Sequence, residues 1–510
     1  MRMEIPYLSL MILVPLVGTI VSFLLPREST KAKWVCLIAA LISLVISFIV
    51  TFAYVWSWPM GLQLDPSGSF AAYEKADWIP TLGMSYVLGV DGLSLPLIVL
   101  THLLVALGIV FSWKETDRPK EFFGLLLLMD LSITGVFMSL DLFLFFIFWE
   151  LVLIPMYFLI GIWGGPNKHY AAIKFLIYTH VGSVIMLLGI FALYFWAGPA
   201  LAVGNTFNLV ELANAAKLDP TYLGMAFQAP VFVAFFFGFG VKMPMVPFHT
   251  WLPDAHVEAP TAGSVVLAGL LLKMGGYGLF RLGLTMFPLA AREMWWLLAT
   301  FGVVSMVYAA FVCLAQTDLK RLIAYSSISH MGFVLLGASS TLTIGIAGGI
   351  FQMFNHGLIT AVLFMLAGVA KRSCHTRDIS KLTGLVQKMP LFSFILMVSF
   401  FASLGLPGLN GFVSEFMVFA GSYESFGRYL IIPLLAIIIT GAYYIWTMHK
   451  MVFGDFNTAL GKIRDLTREE ALPLFILLAF IIFFGLYPAP VIGLIEPYAA
   501  GLSSLLGGLG

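Results

Sequence analysis

Charged residues are scarce in this sequence. Asp, Glu, Lys and Arg together make up 10% of its 510 residues, whereas hydrophobic residues make up 60%. The mean hydropathy is +0.99. A water-soluble protein of this length needs far more charge on its surface, so the composition excludes that class and indicates a polytopic helical membrane protein. The net charge of +1 also gives no basic surface for binding nucleic acid.

Cysteine is scarce as well. The three cysteines, Cys36, Cys313 and Cys374, lie far apart in the chain, and they support neither a disulfide framework nor an iron–sulfur site. The sequence also lacks a P-loop, a dinucleotide-binding fingerprint and a nucleophile elbow. The first apolar run, residues 7–25, has no small-residue cleavage motif after it. We therefore expect it to be a retained helix rather than a signal peptide.

Apolar runs long enough to cross a bilayer fill most of the sequence, and they predict an all-α fold with about fourteen transmembrane helices. No segment between them is long enough for a soluble domain, and the two longest, residues 57–90 and 200–229, hold few basic residues. The predicted helices begin near Pro6, Trp34, Leu93, Phe122, Leu142, Ala171, Pro230, Ala259, Trp295, Leu322, Leu342, Leu391, Tyr429 and Leu472.

Lysine and arginine are divided unevenly between the two sides of this predicted bundle. When alternate loops are assigned to one side, that side collects 19 of the 27 basic residues and the other side collects 6. The positive-inside rule then places both termini and the two long loops outside. The two remaining basic residues, Lys242 and Lys273, fall in no loop.

The stretch 238–280 carries these two lysines between apolar residues, and Pro244, Pro247 and Pro253 interrupt it just after Lys242. Lipid cannot satisfy the carbonyls that such a break frees, so the break must face protein or a water-filled cavity. A lysine at the centre of a membrane helix costs about 2.5–3.5 kcal/mol. The stretch is therefore interpreted as an ion path, with the alternative that Lys242 extends to the membrane interface.

A second interrupted segment, residues 401–419, contains four Gly and Pro residues and then Glu415, which is 173 residues after Lys242. The fourth and ninth predicted helices begin the same distance apart. Paired broken segments in matching positions are typical of transporters with inverted repeats. We therefore predict a three-helix region (1–120), a five-helix unit (121–285), an inverted five-helix unit (290–455) and a C-terminal helix 14 (456–510).

Other titratable residues also lie inside apolar runs. Glu150 is about 13 Å from the start of its helix, near the middle of the membrane. It is either part of the ion path or a structural partner of a helix break. His330 and His356 lie near Ser and Asn residues in the second unit, where they are either proton relays or hydrogen-bonded packing residues. Asp130 has no evident partner in the sequence.

His249, Asp254, His256 and Glu258 form a cluster that invites comparison with metal sites. Their spacing matches no zinc motif, so we predict no metal here. A haem- or quinone-binding redox subunit is a further alternative, and it would need paired histidines on facing helices.

Four segments resemble the antiporter-like membrane subunits of respiratory complex I: LFFIFWELVLIPMY, VKMPMVPFHTWLPDAHVEAPTAGSVVLAG, AQTDLKRLIAYSSISHMGF and LGLPGLNGFVSEF. The resemblance extends over nearly the whole chain. A glutamate at 415, where sister subunits carry lysine, and the lack of a long C-terminal extension resemble the M branch of that family. The resemblance implies these roles: Glu150 as the helix-five glutamate, Lys242 as its partner in helix seven, Lys273 as the central lysine, Glu415 as the terminal acid, and His330 and His356 as members of the central polar axis.

The resemblance further implies a proton-translocating subunit of NADH:quinone oxidoreductase in a bacterial inner membrane. No cofactor is expected in this chain, because FMN, iron–sulfur clusters, NADH and quinone would be bound by other subunits. The expected partners are the other complex I membrane subunits, including sister antiporter-like subunits, and through them the NADH- and quinone-binding arm. A subunit of a cation/proton antiporter complex or of a membrane-bound hydrogenase is the main alternative, since those proteins share the same motifs.

Overall fold

The computed structural model describes residues 5–507 except 27–28, 57–61, 66 and 201–203. Arg2 and Arg27, which enter the count of basic loop residues, lie outside the described residues. The chain begins with α1 (Tyr7–Leu24), α2 (Lys31–Trp56), the strands β1 (Ala71–Ile79) and β2 (Met84–Val90), α3 (Ser94–Phe111) and α4 (Pro119–Met138).

The middle of the chain is also helical and contains two π-helical turns. These elements are α5 (Leu142–Leu151), α6 (Leu153–Trp163), α7 (Lys168–Ala200), α8 (Leu209–Leu218), α9 (Gly224–Lys242), α10 (Trp251–Glu258), α11 (Thr261–Val266), the π turn Leu267–Leu271, α12 (Leu272–Gly278), the π turn Leu279–Leu284 and α13 (Pro288–Glu293).

The remaining helices complete the bundle. They are α14 (Trp295–Leu314), α15 (Leu319–Ala338), α16 (Thr343–Cys374), α17 (Pro390–Ser403), α18 (Asn410–Phe426), α19 (Ile431–Val452), α20 (Arg468–Leu486) and α21 (Ala489–Gly507).

Thirteen helical stretches in the described ranges are long and apolar enough to cross a membrane. This confirms an all-α, polytopic fold, and a helix lies at each of the fourteen predicted positions. α15 is not among the thirteen, and its SSISH segment makes it more polar than its neighbours. α18 and α19 count as one stretch of 43 residues, Asn410–Val452.

The C-terminal region departs from the prediction of a single helix over 456–510. It contains two helices, α20 and α21, separated by a short turn at Tyr487 and Pro488. α21 escaped prediction because Glu496 and Pro497 interrupt its apolar run. It packs closely on the start of α3, since a Cβ atom at Gly92 would lie 1.7 Å from the carbonyl oxygen of Leu494.

The long loop after α2 also has more structure than the sequence indicated. β1 and β2 form an antiparallel hairpin, with Gly83 in the left-handed conformation at the turn (φ +65°). The hairpin adjoins the start of α5, because Leu88 forms an isolated bridge with Ser139. The hairpin of residues 71–90 therefore packs against the helical bundle.

Burial separates the helices into a centre and an exterior. The stretch Thr261–Leu284 and α16 are buried throughout the spans assessed, whereas α1, α2, α7 and α14 expose much of their length. The exposed positions carry large apolar side chains, as expected of a surface that faces lipid. The two predicted breaks are confirmed, at residues 243–250 between α9 and α10 and at 404–409 between α17 and α18. Both breaks therefore flank the buried centre.

Candidate functional site

Lys242 is the last residue of α9 and lies at the first break. Its side chain is buried, and Nζ has no hydrogen-bond partner in the described part of the chain. The ammonium lies 4.9 Å from the ring centroid of Trp149, so the aromatic face supplies a cation–π contact. No N–H group of Lys242 is therefore engaged by a hydrogen-bond acceptor among the described residues.

Glu150 makes no contact within 4.0 Å with Lys242, its expected partner, although the two charges are close enough to interact. Its Oε2 lies 2.9 Å from Nδ1 of His180 on α7, and no ion pair within 4.0 Å joins it to Lys242. The reason is geometric: consecutive residues of an α-helix point about 100° apart, so Trp149 faces Lys242 while Glu150 turns toward α7. The Glu150 side chain is 23% exposed and that of His180 is 57% exposed, which places this pair at the edge of the subunit.

Lys273 lies at the buried centre, in the short α-helical segment between the two π turns. Its Nζ lies 2.6 Å from Nδ1 of His356 on α16. Nζ also donates to the carbonyl oxygen of Ala268 in the first π turn. The backbone hydrogen bonds of a π turn depart from the usual α-helical pattern. The carbonyl oxygen of Ala268 accepts a hydrogen bond from the lysine instead. The ammonium is thus held between a carbonyl and an imidazole.

His356 lies next to His330, which in turn contacts Glu415. The two histidine rings are 5.5 Å apart between centroids, and Nδ1 of His330 lies 3.4 Å from Oε1 of Glu415. We call Lys273, His356, His330 and Glu415 the polar axis. All four side chains are buried, and they come from α12, α16, α15 and α18 respectively.

A small cavity joins three members of the polar axis. Its volume of about 10 Å³ is lined by His330, His356 and Glu415 together with Gln352 and Ser403. That volume corresponds to a single water molecule. Nε2 of His356 is buried without a hydrogen-bond partner among the described residues, so a water in this cavity would give it one.

Amide and hydroxyl side chains fix the surroundings of the polar axis. Nδ2 of Asn355 donates to the carbonyl oxygen of Asn410 at 2.9 Å and to Oγ of Ser414 at 3.0 Å. Ser414 Oγ in turn donates to Oε1 of Gln352 at 2.6 Å. This network joins α16 to the first turns of α18, the helix that carries Glu415.

The second break brings the backbone against Glu415. Gly405 has a φ of +79°, a conformation that favours glycine. A Cβ atom at this position would lie 2.6 Å from Oε2 of Glu415. The break therefore requires glycine both for its backbone conformation and to leave room for the carboxylate.

The cluster in α10 and its preceding turn is not gathered as a metal site. Asp254 accepts from Lys174 at 2.7 Å, and Oε2 of Glu258 accepts the backbone N–H of Asn167 at 3.0 Å. His256 stacks on Phe364 at 4.3 Å. Within the described ranges, no group of three or more His, Cys, Asp or Glu side chains could hold a metal ion.

A buried histidine–carboxyl contact and a buried ion pair were not anticipated. Asp130 on α4 contacts Nδ1 of His102 on α3 at 3.0 Å, and both side chains are fully buried. Arg281 pairs with Asp91 at 2.5 Å. Asp130 stood out in the sequence as an acid inside an apolar run, but its partner lies 28 residues away on another helix. His180 could have been suspected because it too lies inside an apolar run.

Known proteins are similar to this chain in sequence. Residues 139–440 match the NADH:quinone oxidoreductase/Mrp antiporter transmembrane family. The F(420)H(2) dehydrogenase subunit M of Methanosarcina mazei is 42% identical over 99% of this chain and 100% of its own length. The NADH-quinone oxidoreductase subunit M of Rhodobacter capsulatus is 41% identical over 94% of this chain and 91% of its own.

A solved structure agrees with these sequence relatives. A chain of respiratory complex I from Thermus thermophilus superposes with a TM-score of 0.86 at 28% identity, covering 98% of this chain and 100% of the other. The sequence match extends over more than half of the chain and includes both breaks and the whole polar axis. This chain therefore belongs to the NADH:quinone oxidoreductase/Mrp antiporter transmembrane family.

Proposed function

We propose that this chain is a proton-translocating membrane subunit of a respiratory oxidoreductase complex related to NADH:quinone oxidoreductase, and that it corresponds to the M subunit. Two full-length relatives carry the name subunit M. The single observation that carries the proposal is the polar axis. It consists of four buried titratable side chains that lie one after another in space at the centre of a membrane bundle. Such side chains are costly in a membrane and are typical of proton pathways.

The polar axis gives each proton transfer a defined donor and acceptor. The Lys273 ammonium lies at hydrogen-bonding distance from Nδ1 of His356. His356 lines the one-water cavity, and its Nε2 is buried without a hydrogen-bond partner among the described residues, so a water bonded to Nε2 there would bridge it to His330 and Glu415. Every member of the axis can hold and release a proton, so a proton on Lys273 reaches Glu415 without crossing apolar space.

The energy for transport comes from partner subunits in this proposal. The named relatives differ in their electron donor, since one is an F(420)H(2) dehydrogenase subunit and the other belongs to an NADH-quinone oxidoreductase. This chain would supply proton positions, while other subunits would bind the donor, FMN, iron–sulfur clusters and quinone. Its direct partners would be further membrane subunits, including sister antiporter-like subunits.

The proposed orientation places both termini outside the cell membrane, on the basis of the Lys and Arg distribution. The proposed division into units follows the two breaks. Residues 121–285 would form the first five-helix unit, and residues 290–455 the inverted second unit. Each unit then contributes one broken helix next to the polar axis.

Substitution of Lys273 tests the proposal. Lys273→Ala removes the first proton carrier of the axis, and Lys273→Arg keeps a charge that cannot be released at any relevant pH. We expect both variants to lose most proton uptake in inside-out membrane vesicles at matched complex content. Full uptake in the arginine variant would mean that Lys273 is only a fixed charge. The oxidation of NADH or of F(420)H(2) by the wild-type vesicles identifies the donor.

A further inference from the structure

His330 is held at both ring nitrogens by different kinds of group. On one side, Nδ1 faces Oε1 of Glu415 at 3.4 Å and Nε2 of Gln352 at 3.5 Å. On the other side, Nε2 lies 3.1 Å from Oγ of Ser403, the last residue of α17. The ring therefore connects the acid of the polar axis with a hydroxyl outside that axis.

The hydroxyl of Ser403 has a second partner that fixes its direction. Ser403 Oγ donates to the phenol oxygen of Tyr444 on α19 at 2.7 Å. Both side chains are buried. A serine hydroxyl has one proton to donate, and this proton is used toward Tyr444. Ser403 must therefore accept at its contact with His330, which requires a proton on Nε2 of the ring.

A proton fixed on Nε2 determines the chemistry of Nδ1. In a neutral imidazole one nitrogen carries the proton and the other is an acceptor, so Nδ1 of the neutral ring has a free lone pair. The amide N–H of Gln352 points at that lone pair, while Gln352 Oε1 is already engaged by Ser414. Nδ1 is thus the nitrogen that gains and loses a proton.

We propose that Ser403 and Tyr444 are positioning residues, which fix the tautomer of His330 so that it exchanges protons with Glu415 through Nδ1. The proposal rests on the proposed function of the polar axis. In the forward step the Nδ1–H bond of the imidazolium breaks and an O–H bond forms on the Glu415 carboxylate. The ring returns to its neutral form with the proton still on Nε2, ready to accept the next proton without turning.

The surroundings of His330 contain few other charges. The titratable groups that face it are Glu415 on α18, His356 on α16 and, through Ser403, Tyr444 on α19. Lys273 on α12 lies beyond His356. On the side of α14, the neighbouring Ser329 uses its hydroxyl to bond the carbonyl oxygen of Met306. The hydroxyl pair of Ser403 and Tyr444 therefore provides the hydrogen-bond acceptor for Nε2.

The pH profile of proton pumping tests this assignment. The purified complex is reconstituted into liposomes, and proton uptake and donor oxidation are measured together across pH for Ser403→Ala and Tyr444→Phe. Loss of the acceptor destabilises the imidazolium, so the pH of half-maximal pumping on the alkaline side moves down by about one unit in Ser403→Ala. Tyr444→Phe frees the serine proton to point at Nε2 and shifts the profile in the same direction.

Ser399→Ala is the matched control. Ser399 is buried one turn before Ser403 on α17, and its hydroxyl donates to the carbonyl oxygen of Ile395 in the same helix at 2.7 Å. We expect this control and Ser403→Thr, which keeps the hydroxyl, to retain the wild-type profile. An unchanged profile in Tyr444→Phe, or an equal shift in Ser399→Ala, overturns the assignment, even if Ser403→Ala fails to assemble. If the wild-type complex oxidises its donor without pumping, the proposed function itself is wrong.

Discussion

The contacts of Glu150 and Lys242 depend on the rotation of about 100° between consecutive residues of α5. Glu150 lies beside His180 at the edge of the subunit, and Trp149, one residue earlier, lies beside Lys242. The carboxylate is therefore placed between the interior of this subunit and its surface. A polar pair that is partly exposed inside a membrane helix is unfavourable against lipid. We expect protein to cover this edge in the assembled complex.

Glu150→Gln should reduce proton pumping by about tenfold or more, because the amide cannot carry a proton between His180 and the interior. The side chain keeps its size, so the complex should assemble normally. Proton uptake by inside-out vesicles measures the effect, with Glu496→Gln as a control at an exposed position of α21. Near-normal pumping in Glu150→Gln would leave Glu150 with a structural role only.

The residues of the polar axis could be found in the sequence because each interrupts an apolar run. Lys273, His356, His330 and Glu415 were all identified in this way, and the structure brings them together. Their contacts could not be found, because they join side chains from four helices whose rotation about their axes is set by packing. For the same reason His102 was missed as the partner of Asp130, and Ser403 and Tyr444 gave no signal at all.

At the scale of elements, the His102–Asp130 pair ties α3 to α4 inside the bundle. His102→Leu leaves the Asp130 carboxyl group buried without its hydrogen-bond partner, which should cost about 1–3 kcal/mol of stability. Adding Asp130→Leu removes the unpaired polar group, so the double variant should be more stable than His102→Leu alone. Thermal stability of the purified complex measures this difference. A double variant no more stable than His102→Leu would mean that the pair contributes no coupling.

Lysine and arginine side chains from the second half of the chain contact α10, the short helix after the first break. Lys320 donates to the carbonyl oxygen of Ala259 at 2.6 Å, and Arg377 donates to that of Val257 at 3.0 Å. Arg321 lies 3.5 Å from Asp254. The contacts of Lys320 and Arg377 place positive charge at the C-terminal end of α10, which the helix dipole favours, whereas Arg321 pairs with an acid in the first turn. All three contacts link α10 and its C-terminal end to α15 or to the segment after α16.

Arg377→Gln should loosen α10. Loss of one charge-assisted hydrogen bond is worth about 1.5 kcal/mol, or roughly tenfold faster amide hydrogen exchange where the helix opens locally. Hydrogen–deuterium exchange of the purified complex, followed by mass spectrometry of peptides from α10, measures this change. Lys381→Gln is the control, because Lys381 is exposed and its ion pair is with the nearby Asp378 at 3.8 Å. Equal exchange in both variants would contradict a clamping role for Arg377.

At the scale of the whole molecule, the fold could largely be predicted, because apolar runs of spanning length and Gly/Pro breaks are local features of a sequence. α21 and the β1–β2 hairpin could not be predicted. α21 has an apolar run weakened by Glu496 and Pro497, and the hairpin lies in a loop whose pairing depends on the bundle beneath it. The buried centre follows from the two breaks, since each must be covered by protein.

The polar axis depends on individual residues, on the helices that carry them and on the packing of the whole bundle. Its four side chains lie in the most buried part of the bundle, and they end at Glu415 beside the second break. In the proposed function, the carboxyl group of Glu415 accepts a proton from His330. It then releases this proton to water at the adjacent break. Glu415 is therefore the group whose loss should stop proton release while leaving the fold intact.

The most direct measurement is the number of protons taken up per donor molecule oxidised by the purified complex in liposomes, compared among wild type, Glu415→Gln and Glu415→Lys. Glu424→Gln is the control, since Glu424 is exposed on the same helix. We predict that Glu415→Gln lowers this ratio, that Glu424→Gln leaves it unchanged, and that Glu415→Lys retains more pumping than Gln because a buried lysine can also exchange a proton. A wild-type ratio in Glu415→Gln would contradict proton transfer along the polar axis.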